Sequence, residues 1–312
     1  MKILIASVHD KIPVTNYGGT ERVICCLGKE LFKLGHEVIF LVKKGSYSNY
    51  AKVLFYDENK TITEQIPDDI DVVHAHTILD FETIKQPYIF TLHGNVNNDF
   101  KAIKNTVCIS KNHAKRNKVS TYVYNGLDWD EFDNFNVNTA KNYMHFLGKA
   151  TWKVKNLKDA AKIAVKTNNT LRILGGKKWS YKNLKNGLYW KSHPLIKYHG
   201  MVNNKIKMEI MSHSKGLIFP VKWHEPFGLA IIESMYAGAP VFGSAMGSLP
   251  ELITNTTGFT SNNIDEIIDA VKHNNFKPQD CRDYVIANFN SKIMTNNYIK
   301  LYNRVIKGET LD

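Results

Sequence analysis

Short apolar runs without polar alternation, separated by amphipathic stretches, recur along almost the whole chain, and nothing else in the sequence constrains the fold as much. Ile3 to Ala6 is followed by apolar positions at helical spacing, Val23, Ile24, Leu27, Leu31 and Leu34, which stop at Gly35 and give way to Val38 to Val42. Strand, helix and strand in that order make a βαβ unit, and unalternated runs are what parallel strands buried on both faces carry. Val53 to Tyr56, Val72 to Ala75, Tyr88 to Leu92, Val107 to Ile109 and Tyr122 to Tyr124 continue the series, which a doubly wound sheet accommodates. The pattern restarts after a polar, Asn-rich segment, Asp128 to Asn142, read as a linker. Strands are then predicted at Tyr143 to Leu147, Leu171 to Leu174, Ile196 to His199, Leu217 to Phe219 and Pro240 to Phe242, with helices at Leu157 to Lys166 and Gly228 to Ala237. Apolar positions from Arg282 to Val305 predict one or two terminal helices packing on the body.

The predicted class is α/β, with two doubly wound parallel-sheet domains. A chain of 312 residues with 43% hydrophobic content can fill two cores. The domains are placed at 1–137 and 138–289, with a helix at about 290–312 returning to the first. Cys25, Cys26, Cys108 and Cys281 lie in apolar runs without C-x-x-C spacing, so neither a zinc site nor a disulfide framework is expected. The opening run of about five apolar residues is too short for a signal peptide core. No stretch approaches the roughly 18 apolar residues of a membrane span. The expected location is cytoplasmic, at most peripheral at the inner face of a membrane.

The net charge of +12 is unevenly spread. Residues 1–140 hold 16 Lys+Arg against 17 Asp+Glu, whereas residues 141–222 hold 18 bases against two acids, Asp159 and Glu209. A positive second domain favours polyanions such as nucleotide diphosphates, nucleic acid or acidic headgroups. Between Lys177 and Lys197, lysines alternate with Trp179, Tyr181, Tyr189 and Trp190, a pattern that can grip single strands or an anionic membrane surface.

The strongest chemical signal is Phe219-Pro220 followed by Trp223-His224-Glu225-Pro226-Phe227-Gly228-Leu229-Ala230-Ile231-Ile232-Glu233, a strand running through a loop into a helix. Pro226 suits a first helical turn, Gly228 admits close backbone approach, and the helix beginning near Phe227 offers free amides to an anion. Glu225 and Glu233 would flank the ligand, and carboxylates accept from sugar hydroxyls. A phosphate ester rich in hydroxyls fits such a site. Gly18 and Gly19, between the first strand and a helix opening near Thr20, are a weaker phosphate-approach signal because G-x-G-x-x-G is absent.

These residues resemble the E-x7-E signature of the retaining family 4 glycosyltransferases, which have the GT-B fold of two facing Rossmann-like domains with a cleft between them. The likeness extends through Tyr236-Ala237-Gly238-Ala239-Pro240-Val241, Gly247-Ser248-Leu249-Pro250-Glu251-Leu252 and Thr257-Gly258-Phe259. It also covers Tyr17-Gly18-Gly19-Thr20-Glu21-Arg22, Thr91-Leu92-His93-Gly94, Asn125-Gly126-Leu127-Asp128, and Gly148-Lys149 with Lys155.

The resemblance implies that Glu233 holds the donor ribose. It gives Glu225, with Pro226 and the Phe227, Gly228 and Leu229 backbone, the transferred sugar. Lys149 and Lys155 would clasp the diphosphate, with Asn156 capping the helix at Leu157. Lys149 stands where the family usually has Arg, and Asn156 where it usually has Gly. His93 would face the transferred sugar, and Gly18 and Gly19 would meet the donor phosphate or acceptor. Tyr17, Arg22 and Asn125 are acceptor-side candidates.

Asp69-Ile70-Asp71 and Asp128-Trp129-Asp130 both read as D-x-D, the metal-binding pattern of another glycosyltransferase fold. Both are read as solvated loop carboxylates, and His74 and His76 as facing opposite sides of their strand, so no metal and no other cofactor is expected. The reaction implied is metal-independent transfer, with retention, of a hexose-type sugar from a nucleotide diphosphate sugar, UDP ahead of GDP. The acceptor is a glycan, a lipid-linked or a small molecule, and the setting surface polysaccharide or glycoconjugate synthesis. Rival readings are a nucleotide-sugar 2-epimerase of the same fold, and, behind it, a basic protein binding nucleic acid or a membrane surface. An anionic membrane surface is retained only as an accessory partner of the 177–197 stretch, and nucleic acid is placed last.

Overall fold

The computed structural model describes residues 1–14, 18–97, 100–132, 135–176 and 193–311. The chain divides into two compact units, one formed by Met1–Trp129 with Phe289–Asp312 and the other by Asp130–Asn288.

In the first unit β1 (Lys2–Ser7), β2 (Glu37–Val42), β3 (Lys52–Phe55), β4 (Val72–Ala75), β5 (Tyr88–Leu92) and β6 (Thr106–Cys108) form one sheet in the order β3-β2-β1-β4-β5-β6. Every pairing is parallel, for example Leu4 beside Ile39 on one side and Val73 on the other. Helix α1 (Gly19–Lys33) crosses between β1 and β2, and α2 (Lys111–Arg116) follows β6, capped by the Ser110 side chain. The run from Tyr122 to Tyr124 is not a strand. It makes a single bridge, Cys108 to Tyr122, and then leaves the sheet edge to meet the returning chain, where Leu127 N–H donates to Phe289 O at 3.1 Å.

The second unit repeats this order. Strands β7 (Tyr143–Leu147), β8 (Leu171–Leu174), β9 (Ile196–Gly200), β10 (Ser214–Phe219), β11 (Val241–Gly243) and β12 (Gly258–Thr260) are arranged β12-β11-β10-β7-β8-β9, again all parallel. Helices α3 (Leu157–Lys166), α4 (Asn204–Ser212), α5 (Leu229–Tyr236), α6 (Leu249–Leu252), α7 (Ile264–Lys272) and α8 (Pro278–Asn288) belong to it. Both sheets therefore reverse direction between a central pair, β1 and β4 in one and β7 and β10 in the other. In open α/β sheets, ligands bind beyond the carboxyl ends of the strands at such a reversal.

The terminal region forms two helices, α8 and α9 (Ser291–Ile306). Helix α9 returns to the first sheet through a buried polar network. His74 Nδ1 meets the Tyr302 hydroxyl at 2.8 Å and its Nε2 meets Thr91 Oγ1 at 2.7 Å, while Thr91 Oγ1 meets the Tyr298 hydroxyl at 3.1 Å. Buried polar groups need such partners, so the network fixes the seat of the helix as well as holding it. Among the described residues no helix is long and apolar enough to cross a membrane, and all four cysteines are free thiols.

Candidate donor site

The second unit's reversal point is built from the loops after β7 and β10. The first loop runs through Gly148 and Lys149 into a 3₁₀ turn, Lys153–Lys155, and Asn156 then opens α3. Asn156 has φ 55 and ψ 48, the left-handed conformation that favours glycine and, after it, asparagine. It makes a left-handed turn there, but it does not cap the helix as expected. A left-handed Ncap does not aim its side chain at the first turn, and Nδ2 instead donates to Asp159 Oδ2 and to Pro220 O, both at 2.7 Å. The bond to Pro220 ties the β7 loop to the β10 loop, as does Lys222 N–H donating to Val154 O at 2.7 Å.

Across this junction the Lys155 ammonium donates to Glu225 Oε2 at 2.6 Å, with the two side chains 10% and 8% exposed. Trp223 Nε1 donates to the same oxygen at 2.7 Å. Lys155 Nζ also lies 4.9 Å from the Trp223 ring centroid and 5.2 Å from that of Phe219. Trp223 meets Trp152 edge to face at 6.1 Å, and the exposed Lys149 lies over Trp152 at 4.9 Å. The two lysines thus stand at opposite ends of a tryptophan pair, Lys155 engaged with Glu225 and Lys149 open to solvent. The sequence reading did not single out Trp152 or Trp223.

Helix α5 starts at Leu229, one residue after the predicted Gly228, because Gly228 has φ 93 and is not helical. Pro226 and Phe227 are buried in the turn ahead of it. A side chain at position 228 would be strained by that φ, and its Cβ would stand 2.8 Å from Ile231 Cδ1 and 3.3 Å from Glu225 Cγ. The turn is held from outside by the loop after β11. Ser248 N–H donates to Glu225 O at 2.9 Å and Ser248 Oγ to Phe227 O at 2.6 Å. Gly247, at φ 66, packs its Cα against the Glu225 backbone with no room for a Cβ. Glu233 lies about one turn into the helix, buried rather than facing solvent, with Oε1 accepting from Lys207 Nζ at 2.6 Å. Lys207, on α4, also escaped the sequence reading.

The first unit gathers a second polar group at its sheet edge. His76 Nδ1 meets His93 Nε2 at 2.7 Å with the rings stacked at 5.0 Å, and His74 and His76 have ring centroids 4.0 Å apart. The last two share one face, against the expectation of opposite faces, because residues two apart on a strand point the same way. Burial lowers the His93 pKa to about 3 and pushes that of His76 well below the usual range, so the pair is neutral. Gly18 precedes α1, which opens at Gly19, so Thr20 lies inside the first turn and caps nothing. Arg22 is half-buried on that helix, and Asn125 is buried with no partner for Oδ1 among the described residues. Tyr17 lies outside the described residues, as do Trp179, Tyr181, Tyr189, Trp190 and all of the 177–197 lysines except Lys197.

The carboxylates of the first D-x-D pair are exposed, as read, whereas Asp128 of the second is buried. Asp71 accepts from Lys2 N–H and Asp69 from Lys2 Nζ, at 2.7 and 2.6 Å. Asp128 is buried in the first unit, 2.8 Å from Lys29 Nζ and 3.5 Å from Lys33 Nζ, because the segment after Leu127 packs under α1 before the chain leaves the unit. Among the described residues no three His, Cys, Asp or Glu side chains cluster as metal ligands.

A sequence model of the glycosyl transferases group 1 family matches residues 128–285, just over half of the chain and nearly all of the second unit. The chain belongs to the group 1 glycosyltransferases. Its GT-B fold is shared with solved structures. AviGT4, a glycosyltransferase involved in avilamycin A biosynthesis, is 18% identical with a TM-score of 0.84, covering 100% of this chain and 99% of its own. Sucrose-phosphate synthase from Thermosynechococcus elongatus is 15% identical with a TM-score of 0.77, covering 99% and 100%. Anabaena HepE, solved with UDP and glucose, is 15% identical with a TM-score of 0.67, covering 97% and 99%. In sequence, an uncharacterised 41.2 kDa protein in the cps region of Klebsiella pneumoniae is 31% identical over 115 residues, 34% of this chain and 32% of that protein. The group 1 match and the buried Lys155–Glu225 and Lys207–Glu233 pairs fall on the same unit.

Proposed function

We propose that this group 1 glycosyltransferase is a retaining, metal-independent member of family 4. It moves a hexose-type sugar from a nucleotide diphosphate sugar to a glycan, lipid-linked or small-molecule acceptor, in surface polysaccharide or glycoconjugate synthesis. UDP is placed ahead of GDP as the nucleotide, a choice supported by the UDP held by the Anabaena neighbour.

The observation that carries this reading is the pairing of two buried glutamates with two buried lysines around the Gly228 turn, at the carboxyl edge of the second sheet. Burying four charges is costly unless each is partnered, and an apolar core would hold the loops as well. A nucleotide sugar accounts for the arrangement. Its diphosphate suits Lys155, Lys149 and the amides at the start of α5, and its hydroxyls suit Glu225 and Glu233. We assign Glu233 to the ribose, and Glu225 with the Pro226 to Leu229 turn to the transferred sugar. On the first unit we assign His93 to the sugar, Gly18 and Gly19 to phosphate or acceptor, and Arg22 and Asn125 to the acceptor.

In the reaction the bond between the anomeric carbon and the diphosphate oxygen breaks, and the acceptor oxygen bonds to the same face of that carbon. The acceptor proton passes to the departing phosphate oxygen. Lys155 and Lys149 lower the barrier by countering the charge that develops there. The test is a thermal-shift screen of UDP-, GDP-, ADP- and CMP-sugars, with mass spectrometry of an acceptor mixture incubated with the donor that stabilises most. One donor is expected to raise the melting temperature and to yield a product one sugar heavier. Glu233→Ala should weaken that donor about tenfold or more while melting cooperatively. Normal donor binding by this variant would remove the ribose assignment.

A further inference from the structure

Helix α4 turns an apolar stripe to the sheet, and one position of that stripe is charged. Asn203 caps the helix, its Oδ1 accepting from Ile206 N–H at 3.0 Å, and Met208, Ile210 and Met211 are buried as helical spacing requires. Lys207 shares this buried face at 8% exposure, while Ile206, its apolar neighbour, is 43% exposed. Lysine is rarely buried unless paired, and here the pair is made with Glu233, the side chains 9% and 8% exposed. Desolvation offsets most of the attraction within a buried ion pair, so stability alone is a weak reason to keep one where Met or Leu would pack.

The function of Glu233 supplies a better reason. A carboxylate holds a vicinal diol by accepting two hydroxyl hydrogens, which requires it to be charged and correctly aimed in a site from which water is largely excluded. A cation 2.6 Å from Oε1 balances the charge of the carboxylate and fixes its aim. We infer that Lys207 is a positioning residue for ribose recognition, holding Glu233 as an oriented anion without itself touching the diphosphate or the transferred sugar. This rests on the ribose role proposed for Glu233. Lys207 differs from Lys155, which shares its carboxylate oxygen with Trp223 Nε1 and sits on the loop assigned to phosphate.

The test is calorimetric titration of the intact protein with whichever of UDP, ADP and GDP stabilises it most, and with the 2′-deoxy form of that nucleotide. The wild type should prefer the ribonucleotide about tenfold or more. Lys207→Met should bind the deoxynucleotide within about twofold of wild type yet lose most of the affinity for the ribonucleotide, so that the preference collapses. Lys207→Arg, which keeps the charge, should restore it. If the Met variant folds poorly, Lys207→Gln takes its place: it keeps a donor but removes the charge, and its preference should fall at least about threefold.

An unchanged preference in the Met or Gln variant overturns the inference, and so does an equal loss for both nucleotides, which would make Lys207 a phosphate ligand. Glu233→Gln separates the two levels of the argument. If it keeps the ribose preference, the reading of Glu233 fails; if it loses the preference while the Lys207 variants keep it, only the role of Lys207 fails.

Discussion

Lys155 and Glu225 neutralise one another in the structure, and this has a consequence opposite in sign for the two halves of a donor. For Lys155 to meet a diphosphate it must loosen its hold on Glu225, whose carboxylate would then repel the incoming phosphates. Glu225→Gln removes that competition. It should bind the bare nucleoside diphosphate about two- to tenfold more tightly than wild type, while sugar transfer falls about a hundredfold or more because the sugar contact proposed for Glu225 is lost. Calorimetry with the diphosphate and turnover with the sugar nucleotide read the two effects separately. Weaker diphosphate binding by Glu225→Gln would mean that Lys155 does not change partners. At this scale the sequence displayed Glu225, Glu233 and Lys155 through their setting of loop, glycine and helix. Lys207 was concealed, because its partner lies 26 residues away and nothing local distinguishes it from the other lysines of the 141–222 stretch. Trp152 and Trp223 were concealed for the same reason: their edge-to-face contact depends on two loops that only the sheet brings together.

Elements with a strong apolar signal were legible to the residue, including β4, β5, β7, β8 and α3. Of those that escaped, α7 carried a plain helical pattern, Ile264, Ile267, Ile268 and Val271, that was passed over, whereas others have weaker signals. Strand β12 offers one large apolar residue, Phe259, and α4 carries lysine on the face that periodicity requires to be apolar. The Tyr122 to Tyr124 run was overread because alternation and apolarity say nothing of whether a partner strand continues beside it. Loop junctions are the other level at which elements govern the site. Asn156 serves both as a left-handed hinge and as a strut to Pro220, and substitutions separate the two. Asn156→Gly keeps the conformation and loses the bonds, at a cost of about 1 kcal/mol; Asn156→Ala loses both, at about 2–3 kcal/mol. Chemical denaturation should give the order wild type, Gly, Ala, and a reversal of the last two would remove the conformational argument. Gly247→Ala has no such tolerance, because its Cβ would drive into the Glu225 backbone. That variant should lose donor affinity about tenfold or more even where it remains folded, since the Ser248 contacts that hold the turn would move with it.

On the scale of the whole molecule, the two units share a strand order but differ in what they bury. The basic charge lies in the second, whereas the first encloses His74, His76 and His113, all at or below 5% exposure, against His145 in the second. Burial holds each of these imidazoles neutral, lowering the pKa of His113 to about 4 and that of His145 to about 3, with His74 and His76 also well below their usual value. A folded-state pKa below the unfolded value of about 6.5 means that the unfolded chain takes up the proton first as the solution is acidified. The stabilising contribution is therefore complete above about pH 6.5 and declines below it, by about 1.4 kcal/mol per pH unit for each such histidine until the folded pKa is reached. With His93, whose pKa burial also lowers to about 3, four such groups against one make the first unit the acid-sensitive half. Hydrogen exchange at pH 7.5 and 5.5, corrected for intrinsic rates, should show protection falling further in β4, β5 and α9 than in β7, β10 and α5. His145→Phe bears on the second unit from the other side: it leaves Ser214 and Ser234 without the ring nitrogens they now meet at 2.7 and 2.9 Å, so it should destabilise that unit at neutral pH while flattening its response to acid. Equal loss of protection in the two units on acidification would show that something other than these buried imidazoles governs the response.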